Sequence, residues 1–272
     1  MNGVLRLLGA FVLRDFRIAT SYKFNFFFQL TYGFFIVAAF YFIAKMADND
    51  TARQILARYD ASYFSFILVG IASAGMMQTS LNGFAEQMRN GMTEGSLEMT
   101  FACPVRPTWI LVLPCLWSYV FESLKAVLIL VMGVAFFGAD LHRADLLSGL
   151  VMLMLVVTSY AVFGMLGAAL TLVLKRADIV NVVFSAATAL VGGAFFPIDL
   201  FPGWLRAVSG ILPMTYAYEG LRLALLAGAG LYEIRSQLAI LAVFSIVCLP
   251  LAFMVASAAI NKAKRDGSLG VF

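Results

Sequence analysis

Glu122 and Lys125 stand three residues apart inside the apolar run Trp109–Ala139, so on a helix they share a face and can neutralise each other. A charge at the centre of a bilayer costs about 2.5–3.5 kcal/mol on insertion scales, which makes such a pair a candidate proton or ion relay. The pair also reads as a brace buried between helices, or as an interfacial pair if the span begins further along. Asn25 and Gln29 stand four apart near the start of a first apolar run, and Gln78 and Asn82 repeat that spacing in a second. Amides so placed hydrogen-bond across helices or meet a polar group on a substrate. Other chemistry is thinly represented. The single histidine, His142, has no clustered ligands, and Cys103, Cys115 and Cys248 follow no disulfide spacing. No G-x-x-x-x-G-K-[S/T] loop, G-x-S-x-G elbow or H-E-x-x-H helix occurs. We therefore assign no catalytic residue and no metal site.

Two further stretches carry pattern without catalysis. In residues 86–107 the pattern predicts a short helix, Thr93–Phe101, ended by Cys103–Pro104. Leu97 and Phe101 are four apart on one face, and Glu94 and Glu98 are four apart on another. It reads as an ordinary surface loop or as a knob that docks into a partner. Gly192–Arg222 is the second stretch: an apolar run breaks at Phe196–Pro197, and amphipathic residues with Pro202 and Pro213 follow. Irregular backbone at membrane depth is tolerated only when buried in protein or lining an aqueous cavity, so this segment suggests a gated path.

The elements that must position these residues are membrane spans. The 272 residues are 62% hydrophobic and 12% charged, with a mean hydropathy of +0.92. A soluble domain is roughly 45–50% apolar and about 25% charged. The net charge of +4 fits basic residues flanking spans on the cytoplasmic side better than a nucleic-acid partner. Six runs approach the roughly 20 apolar residues that cross a bilayer: Phe24–Ala44, Ala61–Ala85, Trp109–Ala139, Leu146–Leu174, Ile179–Ile198 and Ser236–Ile260. The first is too long for a signal peptide, with no clear cleavage site after it, and reads as an uncleaved anchor. Lys and Arg are densest at the termini (Arg6, Arg14, Arg17, Lys23; Lys262, Lys264, Arg265) and between spans four and five (Lys175, Arg176). Both termini are therefore placed in the cytoplasm. Residues 3–20 read as an interfacial helix, with Arg6, Arg14 and Arg17 on one arc and Val4, Leu8 and Phe11 opposite. Aromatics crowd span one on all sides, some lining a path and many facing lipid. Small residues at Gly70/Ala74 and Gly164/Ala168 allow close helix approach.

The run E-G-S-L-E-x-x-x-x-x-P-V-R-P at Glu94–Pro107 resembles the coupling-helix region of ABC-2 type transporter permeases, which commonly read E-x-G-T-L-E followed by T-P-V. G-G-A-F-F-P-I-D-L-F-P-G-W-L-R at Gly192–Arg206 and L-P-M-T-Y-A-Y-E-G-L-R at Leu212–Arg222 are similar to the family's G-x-x-F-P, P-x-W-L and N-P-[LM]-T-Y runs with a terminal Arg. Ser96 departs from the usual Thr, and Leu212 replaces an Asn that would cap the following turn.

The resemblance implies one all-α membrane domain over residues 1–272, with six transmembrane helices, the N-terminal interfacial helix and re-entrant extracellular helices at residues 199–235. It implies a permease subunit and not an enzyme. This chain would bind no cofactor, and ATP and Mg would sit on a separate ABC ATP-binding subunit. A second permease copy, identical or related, and membrane lipid complete the partners, with no nucleic acid. Glu94, Gly95, Ser96, Leu97, Glu98, Phe101 and Pro104 would contact the ATPase. Phe196, Pro197, Pro202, Trp204, Pro213, Tyr216, Glu219 and Arg222 would form the extracellular gate, Glu219 pairing with Arg222. The expected activity is export of an amphiphile, drug-like or lipid-like, across a bacterial-type inner membrane. The alternatives are export of a lipid-linked polysaccharide and, from another class, a stand-alone ion-coupled transporter or channel.

Overall fold

Apolar surroundings offer a backbone amide no water, so a long apolar run bonds within itself as a helix. Every such run in view does so. The structure is a computed structural model that describes residues 23–47, 54, 56–93, 115–174, 185–186 and 191–265. Its elements are α1 (Lys23–Ala47), a 3-10 turn (Ala57–Tyr59), α2 (Tyr63–Thr93), α3 (Cys115–Phe137), α4 (Leu146–Leu174), a 3-10 turn (Ile198–Leu200), α5 (Gly203–Ile211), α6 (Pro213–Leu225) and α7 (Arg235–Arg265). The described residues contain no strand. Within α2, α3, α4 and α7, four segments are long and apolar enough to cross a membrane: Tyr63–Arg89, Trp117–Phe137, Leu146–Thr171 and Arg235–Ala263.

Several expected boundaries move. α2 continues to Thr93 instead of stopping at Ala85, and α7 to Arg265 instead of Ile260. The edge of the apolar run marks where lipid ends, whereas helical hydrogen bonding persists until a breaker intervenes. α3 stops at Phe137 because Gly138 takes a left-handed φ of 68°, which residues with a Cβ rarely adopt. The expected fifth span, Ile179–Ile198, closes early: turns begin at Gly192, and Ile198 belongs to the following 3-10 turn. Most of that span, the 3–20 helix and residues 94–114 lie outside the described residues. α7 runs through Pro250 without interruption.

α2 and α4 form the centre of the bundle. α4 packs on both α2 and α7, α3 lies against α2, and α1 leans on α2 and α3. The short α6 is wedged among α2, α4 and α7 at one end, here termed the cap end. Packing between such helices depends on close contact, because lipid is as apolar as the interior. Gly164 shows this directly. A Cβ there would overlap the backbone oxygen of Ser80 on α2, so α4 touches α2 backbone to backbone.

The cap end is tied by short polar contacts. The Asp145 amide donates to the Ala224 carbonyl of α6 at 2.9 Å. Its carboxylate caps α4, accepting the Leu147 and Ser148 amides at 3.0 and 3.2 Å and the Ser148 hydroxyl at 2.8 Å. The Ser148 hydroxyl first, then the Ser148 and Leu147 amides, hold the Asp145 carboxyl below its usual range. A lowered folded pKa means that the cap contributes fully above the unfolded value and is lost as pH falls through the folded one. Protection of the Leu147 and Ser148 amides, taken against their intrinsic exchange rates, is therefore expected to fall in acid. Asp145→Asn, whose side-chain oxygen still accepts both amides but does not titrate, should keep the protection at neutral pH and lose most of that dependence. An acid response unchanged in the Asn variant would remove Asp145 as its source.

Candidate functional site

The broken apolar segment poses an accounting problem. Residues 192–196 are turns and bends, so their carbonyls lack the donors a continuing helix would supply. Side chains supply them. Arg222 of α6 donates from Nη1 to the Gly193 carbonyl at 2.8 Å and from Nη2 to the Ala194 carbonyl at 2.6 Å. Its Nε donates to the Phe66 carbonyl of α2 at 3.3 Å. The Tyr63 hydroxyl donates to the Phe195 carbonyl at 3.3 Å, and the Ser209 hydroxyl to the Val191 carbonyl at 2.9 Å. Three successive carbonyls of the turn, Gly193 to Phe195, are thus satisfied by side chains of α2 and α6, and Ser209 holds the Val191 carbonyl just before it.

Arg222 is the hub of this knot and only 3% exposed. Its guanidinium carbon lies 3.4 Å from the Phe66 ring centroid and 5.5 Å from that of Tyr218, so the planar cation is stacked as well as hydrogen-bonded. Gly70 makes the space. A Cβ there would overlap the Ala194 carbonyl oxygen and stand 3.0 Å from Arg222 Nη2. The turn is pinned to α1 too, where Phe195 stacks on Phe40 with centroids 5.2 Å apart and planes 5° from parallel.

The expected pairing of Glu219 with Arg222 does not occur. Glu219 pairs instead with Arg58, before α2, and Arg222 turns to the carbonyls. The reason is physical: the turn's carbonyls lie in a buried pocket that only a long, forked donor fills, while Glu219 faces the wetter side. Arg143 and Asp60 form a second bridge between cap-end loops.

The other residues expected in this segment divide between anchors and open surface. Pro197 and Pro213 are buried, and Pro213 opens α6, where its missing N–H has no helical acceptor to serve. No side chain caps α6 at Leu212. Thr215 instead donates back to the Ser209 carbonyl at 2.6 Å and Tyr216 to the Gly210 carbonyl at 2.8 Å. Phe196, Pro202 and Trp204 are exposed, Trp204 by 70%. Val208 and Ile211 share its open side, giving α5 an apolar outer face.

Within the bundle, Glu122 and Lys125 do form an ion pair, their side chains 17% and 27% exposed respectively. They border a cleft of about 200 Å³ between α1, α2 and α3, with Tyr32, Gly33 and Ile36 on one side and Ile71, Ala72 and Gly75 on another. Asn82 reaches away from this cleft to Ser185, its amide 3.4 Å from the hydroxyl, and Gln78 is exposed. Asn25 and Gln29 lie on the first turns of α1, with side chains outside the described residues. Glu94, Gly95, Ser96, Leu97, Glu98, Phe101 and Pro104 also lie outside them.

Sequence reading missed Arg58, Phe66, Tyr63 and Tyr218. Arg58 carried only a weak signal, a cation just before an apolar run, because Glu219 already had a cation at helical spacing in Arg222. Phe66 and Tyr218 carried none, being apolar or aromatic residues among many.

The ABC-2 type transporter family model matches residues 4–226. That is most of the chain, and the protein belongs to this family. It is a multi-pass membrane protein and a permease component of an ABC transporter, a membership that implies an ATP-binding partner. No curated protein gave a significant match.

Proposed function

We propose that the chain is the permease subunit of an ATP-driven exporter that moves an amphiphile, drug-like or lipid-like, out across the cytoplasmic membrane. In this reading it works as one of two permease copies, with both termini inside. The observation that carries the mechanism is α2. This single helix of 31 residues, about 46 Å long, has Phe66 and Gly70 in the Arg222 knot at one end. Its other end runs into the Glu94–Pro107 segment, which resembles the family's coupling region. A displacement imposed there by the ATPase is transmitted along a rigid rod to the turn at 192–197. The cap then acts as a re-entrant exit gate: Phe196, Pro202 and Trp204 face outward, while Arg222 ties the gate to the rod. The Lys and Arg distribution supports placing that gate outside.

The test is uncoupling. Glu94→Lys or Leu97→Asp, reconstituted with the ATP-binding partner, is expected to lose substrate-linked transport at least about tenfold while the permease folds and melts normally. Normal transport by both variants would exclude this loop as the coupling element. Transport by the chain without any ATPase would overturn the ABC reading in favour of an ion-coupled carrier.

A further inference from the structure

The Glu122–Lys125 pair joins no two helices. Both residues lie on α3, three apart. What α2 offers the carboxylate is Gly75, where a Cβ would stand 2.7 Å from Glu122 Oε2. The Lys125 ammonium lies 5.2 Å from the ring centroid of Phe121, also on α3. An intrahelical pair of this kind holds the bundle together no better than two alanines would, yet it carries the insertion cost of charges in an apolar span. Both side chains remain partly open, and they border the cleft whose remaining walls include Ile36, Ile71, Ile129 and Met132.

We propose that this cleft binds the head group of a zwitterionic amphiphile, its ammonium on Glu122, its phosphate on Lys125 and its chain along the apolar wall. Charge selects the occupant. The pair is neutral as a unit, so a neutral zwitterion replaces one internal ion-pair contact with two charge-assisted ones and leaves no net charge in the low-dielectric site. A cationic or anionic amphiphile leaves one unit uncompensated there, which burial penalises heavily. The volume suits a head group and the first carbons of a chain, the remainder running into lipid. The absent side chain at position 75 is what leaves the carboxylate room beside α2. The site extends the membrane reading of α1–α3 and is independent of export.

Native mass spectrometry of the full chain in a maltoside detergent tests it. The probes are lysophosphatidylethanolamine, lysophosphatidylglycerol and an alkyltrimethylammonium of matched chain length. The zwitterion is expected to be retained about tenfold or more over either charged probe, in line with charge-assisted hydrogen bonds. Glu122→Gln with Lys125→Gln should abolish that preference. Ala126→Phe should abolish retention by filling the cleft while leaving the ion pair in place. Equal retention of the three probes, or retention of the zwitterion by both variants, would overturn the proposal. Binding is read without ATP or a partner, so a negative result here leaves the export reading standing, and a failed transport assay leaves this site standing.

Discussion

Arg222→Met is expected to free the 192–197 turn from α2 and to lower stability by roughly 2–6 kcal/mol, about 1–3 for each of the two carbonyls left without a donor. Methionine keeps much of the bulk, so the loss reports the hydrogen bonds and the stacked cation together and little of the packing volume. Water does not readily rescue the Gly193 and Ala194 carbonyls, because both residues are buried. Arg222→Lys is the sharper probe. An ammonium on a flexible stem carries the same charge, but it cannot donate to Gly193, Ala194 and Phe66 at once while lying flat on the Phe66 ring. Lysine should therefore recover less than half of the loss. Thermal unfolding of the purified variants, with limited proteolysis across residues 198–212, measures both effects. A lysine variant as stable as the parent would show that charge alone holds the cap and that the fork geometry is incidental.

Composition alone made the helical membrane fold legible, because a chain this apolar and this poor in charge has few other ways to satisfy its backbone. The start of the run at Leu146 was readable and coincides with the start of α4, where Asp145 supplies the cap. α2 was not, since apolar content ends near Ala85 while helical bonding runs on to Thr93. The site divides in the same way. Glu122 and Lys125 were legible because helical spacing decides a pair on one helix. Glu219 and Arg222 have that spacing as well, yet their partners come from elsewhere in the chain. Arg58 lies 161 positions from Glu219, and the carbonyls bound by Arg222 exist as acceptors only because the backbone breaks at Gly192. Local pattern ranks neighbours in sequence, whereas an unsatisfied buried carbonyl competes from any distance. Gly70 was visible as a small residue that lets helices approach. That it meets a turn's carbonyl, and not another helix, follows only from where the turn folds back.

Gly70→Ala tests whether α2 works as a rod. The added methyl meets a backbone oxygen, not the end of a flexible side chain, so α2 and the turn at Ala194 must separate. Overpacking of this kind costs typically about 1–3 kcal/mol, enough to loosen the cap without unfolding the bundle. Gly164→Ala is the matched control. It forces α4 from the Ser80 oxygen of the same helix, at a similar expected cost, but away from the turn. Stability alone therefore does not separate the two variants, and function does. With the ATP-binding partner present, Gly70→Ala should keep nucleotide hydrolysis near the parent rate while transport per ATP falls several-fold, because the moving end of the rod has lost its hold on the gate. Gly164→Ala should lower hydrolysis and transport together, or neither. Combining Gly70→Ala with Arg222→Met should cost at least about 0.5 kcal/mol less than the sum of the single losses, since both act through the Ala194 carbonyl. If transport per ATP is unchanged in Gly70→Ala while the cap is measurably loosened, motion of the cap is not what ATP drives, and the path across the membrane must be gated elsewhere in the bundle.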